Sequence, residues 1–128
     1  MNITTREVND VVIFDIEGEF RRPENQGVLL RDLVKAQLEN RRKKLIVNLK
    51  NAIFVDDYGM GEILECHISV RNAGGKLKVA LDLREYYNRF PVPSAHPPPE
   101  FLYGSVEDAL DSFQPRQTAG KNWWQFWK

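Results

Sequence analysis

The chain has 128 residues, of which 42% are hydrophobic and 28% are charged, a composition typical of one soluble domain that buries its own core. Lys and Arg together number 18, as do Asp and Glu, and a formal net charge of zero argues against a general nucleic-acid-binding protein. The single cysteine excludes an intrachain disulfide. Because there is no apolar signal core, and no apolar run approaches the roughly 20 residues of a membrane span, we expect a cytoplasmic protein.

The first two predicted elements are strands. Residues 2–8 alternate weakly and contain β-branched side chains, and residues 11–16 form a stronger apolar run that we expect to end at Gly18. Because only Asn9 and Asp10 separate the two runs, they predict an antiparallel hairpin.

A helix and a buried strand are predicted next. Residues 24–39 indicate a helix, because their apolar residues fall at helical spacing: Leu29, Leu30, Leu33, Val34 and Leu38. The basic run at residues 41–44 is interpreted as cations that complement the C-terminal dipole of this helix, in preference to a patch for phosphate or an acidic partner. Residues 45–49 then predict a central strand.

A strand-to-helix turn at residues 51–61 is the centre of the sequence. It leads into a helix predicted over residues 57–72, with an apolar face at Met60, Ile63, Leu64, His67 and Ile68. Gly74 and Gly75 follow as a helix C-terminal cap, and residues 76–81 alternate as a strand with polar residues on one side. Strand, helix and strand in this order predict a parallel, right-handed βαβ unit.

The remaining elements are shorter. Residues 82–90 indicate an aromatic helical piece, and the proline-rich residues 91–99 indicate an extended surface loop. Residues 101–103 predict a short strand. Ser105 and Asp108 then form a pair that resembles a capping box, before a helix with apolar residues at Val106, Ala109, Leu110 and Phe113.

The order of these elements resembles the STAS family, which comprises anti-sigma factor antagonists and related domains of sulphate transporters. The resemblance covers roughly residues 2–113 and is weak at 84–100. It rests mainly on the strand at 45–49, the turn Asp56-Asp57-Tyr58-Gly59-Met60-Gly61, the helix that follows, and the two glycines before the strand at 76–81. It implies a single α/β domain with a mixed sheet of four to five strands and helices packed mainly on one face. Residues 17–20 look like the Gly-containing loop that follows the family's opening hairpin.

The turn departs from the family at its functional position. In the family the turn usually carries Ser or Thr, and its first hydroxyl residue is phosphorylated by a partner kinase. Here Asp57 takes that position and Tyr58 replaces the second hydroxyl. Either aspartate also suits the start of a helix as a capping residue. Beside that structural role, we interpret Asp57 as a permanent negative charge at the switch position.

The predicted partner-binding site is therefore the helix start. It comprises Asp56, Asp57, Tyr58, Gly59, Met60, Gly61 and Glu62. Close packing of the helix start is the favoured explanation for Gly59 and Gly61, because Leu64 breaks the glycine pattern of a dinucleotide fingerprint.

Residues 114–128 are predicted to be a flexible tail outside the domain of residues 1–113. All three tryptophans lie in it, and a docking segment is predicted at Trp123, Trp124, Phe126 and Trp127. This segment suits a groove of the domain or of a second copy, a partner protein, or a membrane interface. The sequence alone favours self-docking or partner docking over the membrane.

No residue set suggests catalysis, a metal or a cofactor. Cys66 and His67 are adjacent on the predicted helix and point to different sides, so they form no dyad, and His67 is interpreted as a partly buried core residue. His96 lies in the proline-rich loop. Two histidines and one cysteine make no metal pattern, and we expect the protein not to be an enzyme.

Two functional hypotheses follow from the resemblance. The first is a regulatory protein similar to anti-sigma factor antagonists, which binds an anti-sigma factor or kinase-like regulator without serine phosphorylation control, as a monomer or a homodimer. The alternative is a non-phosphorylated STAS scaffold or accessory subunit of a transporter or signalling assembly.

Overall fold

Two strands followed by a helix occur three times in the computed structural model, which describes residues 2–20, 30–55, 57–82, 84 and 101–114. Predictions that concern 21–29, Asp56, the proline-rich loop at 91–99 and most of 82–90 lie outside these residues, as does the tail from 115 onward. The described elements are, in chain order, β1 (Asn2–Val8), β2 (Val11–Phe20), α1 (Leu30–Glu39), β3 (Lys44–Asn48), β4 (Ala52–Val55), α2 (Asp57–Asn72), β5 (Lys76–Ala80), β6 (Leu102–Tyr103) and α3 (Val106–Phe113).

The strands form a mixed sheet in the order β1-β2-β3-β5-β6, with β4 paired to β2 off this path. β1 is antiparallel to β2, and the other pairs are parallel. Lys44 of β3 lies opposite Lys76 of β5, so these two strands pair in parallel register, and both β4 and α2 lie between them in the chain. The predicted α/β class with a mixed sheet is confirmed.

Each face of the sheet carries its own core. On one face, α1 and α2 cover a large cluster of buried side chains from β2, β3 and β5, which includes Phe14, Val47 and Val79. On the other face, α3 covers a smaller cluster built around Ile13 and Ile46. Two of the three described helices therefore pack on the first face.

On the polar side of β5, Lys78 faces this second core and is buried, whereas Lys76 is exposed. Lys78 is 8% exposed, and its Nζ lies 2.6 Å from Ser112 Oγ and 3.3 Å from the Ser112 carbonyl oxygen. The same Nζ stands 4.2 Å from the centroid of the Phe113 ring and 5.4 Å from that of Tyr103. One buried ammonium thus joins α3 to the sheet.

The opening hairpin is confirmed, but its second strand is longer than predicted. Asn9 and Asp10 adopt positive φ angles of 50° and 69°, as a two-residue hairpin turn requires. β2 continues through Gly18, which has a φ of 87°, to Phe20. The predicted end of the strand and the predicted loop at residues 17–20 are wrong, because β4 pairs with this segment through a register shift between Gly18 and Glu19.

The local signals at the other helix boundaries are confirmed. α2 spans the predicted residues 57–72, and Gly74 follows it with a φ of 85°. The Asp108 backbone N–H donates to Ser105 Oγ at 3.1 Å, so Ser105 caps α3 as predicted.

Candidate functional site

The candidate site lies where β4 passes into α2. β4 runs beside the end of β2, and Asp57 is the first residue of α2. The N-terminus of a helix carries partial positive charge, so an acidic residue at this position is stabilising. Asp56 lies outside the described residues, whereas Asp57 is placed by its backbone at the head of the helix.

A polar network holds the chain that leads into this turn. Asn48, at the end of β3, donates to Asp15 Oδ1 at 2.7 Å and accepts from the Lys50 backbone N–H at 3.1 Å. Arg6 donates to the other Asp15 oxygen at 2.6 Å. Burial disfavours the charged form of Asp15, but the hydrogen bonds from Arg6 and Asn48 outweigh it and lower the pKa of the carboxyl. The segment before β4 is therefore anchored to β2 and β3.

The first turn of α2 is partly packed into the protein. Tyr58 and Met60 are half-buried, Gly59 is buried, and Met60 packs against the larger core. Gly61 is exposed, and a Cβ built on it meets no heavy atom within 4 Å among the described residues. The close packing predicted as the reason for Gly61 is therefore wrong, and this glycine leaves the helix surface open.

We expect replacement of Gly61 with alanine to stabilise the protein. Glycine in a helix interior is about 0.5–1 kcal/mol less favourable than alanine, and none of the described residues would contact the added methyl group. The free energy of unfolding, measured by urea denaturation, should rise by about that amount. A fall would mean that the open space above Gly61 is filled in the folded protein.

Glu62 is buried and acts inside the domain. It is 4% exposed, and its Oε2 accepts a hydrogen bond from the backbone N–H of Arg31 at 3.1 Å. Arg31 is the second described residue of α1. The Glu62 carboxylate, which belongs to α2, therefore caps an N–H group in the first described turn of α1. Glu62 is thus a positioning residue in the folded protein and not part of its exposed surface.

The exposed face of α2 carries apolar side chains. The predicted apolar face is correct for Ile63 but wrong for Leu64 and Ile68, which are 45% and 46% exposed. The core is completed instead by Cys66 and Val70. At 3.6 residues per turn, positions 57, 61, 64 and 68 lie on one side of a helix. We call Gly61, Leu64 and Ile68 the α2 stripe, which begins one turn after Asp57.

His67 is a core residue on the side of the helix nearest β6. It is half-buried, and its ring stacks on Phe101 with centroids 4.4 Å apart and an interplanar angle of 22°. Its Nδ1 lies 3.4 Å from the Leu77 carbonyl oxygen. The prediction of a partly buried core histidine is confirmed.

Cys66 lies on a different side of the helix, at the contact between α1 and α2. The thiol is 2% exposed, and burial, together with the nearby Glu62 and Glu65, raises its pKa to about 12. Only the thiolate is an effective nucleophile. The residue is therefore a small apolar core group.

We expect the native Cys66 thiol to resist alkylation. A pKa of about 12 lowers the thiolate fraction at pH 8 about a thousandfold relative to an unperturbed thiol, and burial restricts access further. Iodoacetamide labelling of the native protein should proceed at least about a thousandfold more slowly than labelling in urea. Equal rates would contradict the packing of α1 on α2.

Among the residues that the structure describes, no group of three or more His, Cys, Asp or Glu side chains is arranged to hold a metal ion. Of the described helices, none has the length and apolar character of a membrane span. Two open clefts, of about 370 Å³ between α1 and α2 and about 510 Å³ beside β5, lie away from the 57–62 turn.

Comparison with known proteins identifies the fold. No protein-family model matches the chain, and no curated protein matches its sequence. The structure is similar to an anti-sigma factor antagonist from Mycobacterium paratuberculosis, with a TM-score of 0.63 and 16% identity over 87% of this chain and 92% of that one. It is also similar to the anti-sigma factor antagonist SpoIIAA in its unphosphorylated form, with a TM-score of 0.52 and 15% identity over 87% and 96% of the two chains.

A third similarity concerns part of a much longer protein. The structure of Mglu gives a TM-score of 0.50 and 20% identity, and the match covers 59% of this chain but only 18% of that one. At these identities the comparisons establish a shared fold. The chain has the STAS fold that the turn at residues 56–61 and the order of elements predicted.

Proposed function

We propose that this STAS-fold protein is a cytoplasmic regulator that acts by binding another protein and not as an enzyme. Its binding surface is the start of α2, from Asp57 to Gly61, continued by the α2 stripe. The observation that carries the proposal is the exposure of Leu64 and Ile68 on the same side of the helix as Asp57. Apolar side chains next to a charged helix end provide both contact area and orientation for a partner.

An anti-sigma factor or a kinase-like regulator is the proposed partner class. The similarity in fold to anti-sigma factor antagonists supports it. Asp57 stands where the resemblance implies a phosphorylated hydroxyl, and a carboxylate supplies only part of the charge of a phosphoserine. We infer that the surface stays in one charge state and that binding is not switched by serine phosphorylation.

Cross-linking from the stripe tests the proposal in the native host. A photoreactive amino acid at position 64 should form an adduct with an anti-sigma factor or a kinase-like protein, whereas the same group at Lys35, on the exposed side of α1, should not. Adducts with a permease or another transporter subunit would favour the alternative function as a scaffold or accessory subunit. Equal labelling from both positions would overturn the proposed surface.

The fixed charge at Asp57 has a separate test. We expect Asp57→Lys to weaken binding to the cross-linked partner about fivefold, since a charge at the rim of an interface is worth about 1 kcal/mol. The effect should shrink in high salt, and Asp57→Asn should give an intermediate affinity. Circular dichroism should show a folded protein in each case. An unchanged affinity would count against a role for this charge.

A further inference from the structure

The larger of the two clefts lies along the edge of the sheet, beside β5. Among the described strands, β6 pairs only with Val79 and Ala80, so the first three residues of β5 have no described strand on that side. The volume of about 510 Å³ is in the range of sites that hold small molecules. We call this space the edge cleft, which is bounded by residues 75–78 with His67, Arg71, Phe101 and Tyr103.

The charged side chains that line the edge cleft are all cations. Lys76 and Lys78 stand on the same face of β5, because they are two residues apart, and Arg71 reaches the cleft from the last turn of α2. Among the residues that the structure describes, no carboxylate lines this cleft, and none of the three cations forms an ion pair. The site therefore has positive charge that is not neutralised locally.

The cleft between α1 and α2 has the opposite character. Its lining includes two acidic residues, Asp32 and Glu65, as well as two basic residues, Arg31 and Lys35. Arg31 Nη1 lies 3.8 Å from Glu65 Oε1. The formal charges in this cleft cancel, so it offers no preference for an anion and serves as an internal comparison for the edge cleft.

Lys78 is the most unusual of the three cations, because it is buried without an opposite charge. It is 8% exposed, and two of its three N–H donors are used by the Ser112 hydroxyl and carbonyl oxygens, which are both neutral. The rings of Phe113 and Tyr103 offset part of the cost of burying the charge. A buried charge is otherwise stabilised by a counter-ion. An anion in the cleft that Lys78 lines would supply one.

Aromatic side chains form the other part of the edge cleft. The Phe101 ring stacks on His67, with centroids 4.4 Å apart, and both side chains are half-buried, as is Tyr103. Leu77 between them is 1% exposed. Part of each ring therefore remains accessible from the cleft, and aromatic rings pack favourably against other rings. This surface suits the planar body of a ligand.

We propose that the edge cleft binds a small aromatic anion. Its charged group would lie among Arg71, Lys76 and Lys78, which can donate charge-assisted hydrogen bonds, and its ring would contact Phe101 and Tyr103. A few charged groups beside an apolar and aromatic wall are typical of small-molecule sites. The α2 stripe does not line this cleft, so neither this site nor the proposed partner surface depends on the other.

Titration of the full chain with 1-naphthoate, followed by NMR of the backbone amides, tests the site. We expect a dissociation constant of about 1 mM or lower, from the binding efficiency typical of small ligands. The largest shifts should occur at Leu77, Lys78 and Tyr103, whereas Val34 and Cys66 in the other cleft should not shift. Two probes separate charge from ring: 1-naphthamide, which is uncharged, and acetate, which has no ring, should each bind at least about tenfold more weakly.

Charge-removing variants complete the test. Arg71→Gln/Lys76→Gln should weaken 1-naphthoate binding about tenfold, or about threefold for each exposed cation. Lys78→Met should weaken it at least as much, because it removes the buried charge. The matched control Arg31→Gln/Lys35→Gln removes the same charge from the other cleft and should leave binding unchanged.

Several results would overturn the proposal. They are the absence of 1-naphthoate binding at about 10 mM, binding of 1-naphthamide or acetate as tight as that of 1-naphthoate, and equal losses of affinity in the control and edge-cleft variants. Shifts confined to the cleft between α1 and α2 would overturn it as well. None of these results would bear on partner binding at the α2 stripe, which the cross-link from position 64 tests separately.

Discussion

Replacing Lys78 with alanine is expected to lower the free energy of unfolding by about 2–3 kcal/mol. The change removes two hydrogen bonds from a charged donor to Ser112, a cation–π contact with Phe113, and the packing of the aliphatic stem. In the native protein, the stabilisation from these contacts is partly offset by the cost of desolvating Lys78, which is 8% exposed. Urea denaturation of the purified variant measures the difference.

Lys78→Met distinguishes the contribution of the ammonium charge to stability from that of the aliphatic stem. It keeps most of the packing volume, so the loss should fall to about 1 kcal/mol. Lys76→Met, on the same strand but exposed, serves as the control and should stay within about 0.5 kcal/mol of the native protein. If Lys78→Met is as stable as the native chain, the buried ammonium makes no net contribution to holding α3.

Removing the apolar side chains of the α2 stripe should abolish most partner binding while the domain stays folded. Burial of Leu64 and Ile68 in an interface is worth about 1.5 kcal/mol each, so Leu64→Ala/Ile68→Ala should raise the dissociation constant about a hundredfold. Both side chains are about half-buried in the domain, so the free energy of unfolding should fall by about 1–2 kcal/mol in total, partly offset by the higher helix propensity of alanine. The dissociation constant is measured by calorimetry with the purified partner that the cross-link from position 64 identifies.

A control variant changes exposed residues near the α2 stripe. Ser69→Ala/Lys35→Ala changes one residue beside the stripe and one on α1, and should leave the dissociation constant within about twofold. Equal affinity of the stripe variant and the native protein would exclude Leu64 and Ile68 from the interface. The proposed function would then have to use another surface of the STAS fold.

Features that depend on nearby residues could be predicted from the sequence. The two-residue turn at Asn9 and Asp10, the span of α2 and the Ser105 cap are each specified within a few positions. β4 and the continuation of β2 through Gly18 were not found, because each exists only by pairing with the other across more than 30 residues of sequence. Local periodicity contains no signal for such a partner.

The span of α2 was predicted, but its orientation was not. α2 has apolar residues on several of its sides. Their spacing therefore did not show that Cys66 and Val70 face the core while Leu64 and Ile68 face solvent. Glu62 was included in the predicted binding site as part of the helix start, but it is buried. Its partner, the Arg31 backbone N–H, belongs to a helix that begins about 30 residues earlier, and only the packing of α1 on α2 brings them together.

The two-sided sheet has a consequence for synthesis of the protein. Ile13 and Ile46 belong to the first half of the chain, whereas the helix that covers them is the last described element. As the polypeptide emerges from the ribosome, one face of the nascent sheet stays bare until residues 106–113 follow. During that interval the unfinished chain exposes an apolar surface that a chaperone would recognise. A product truncated before residue 106 would be prone to aggregation for the same reason.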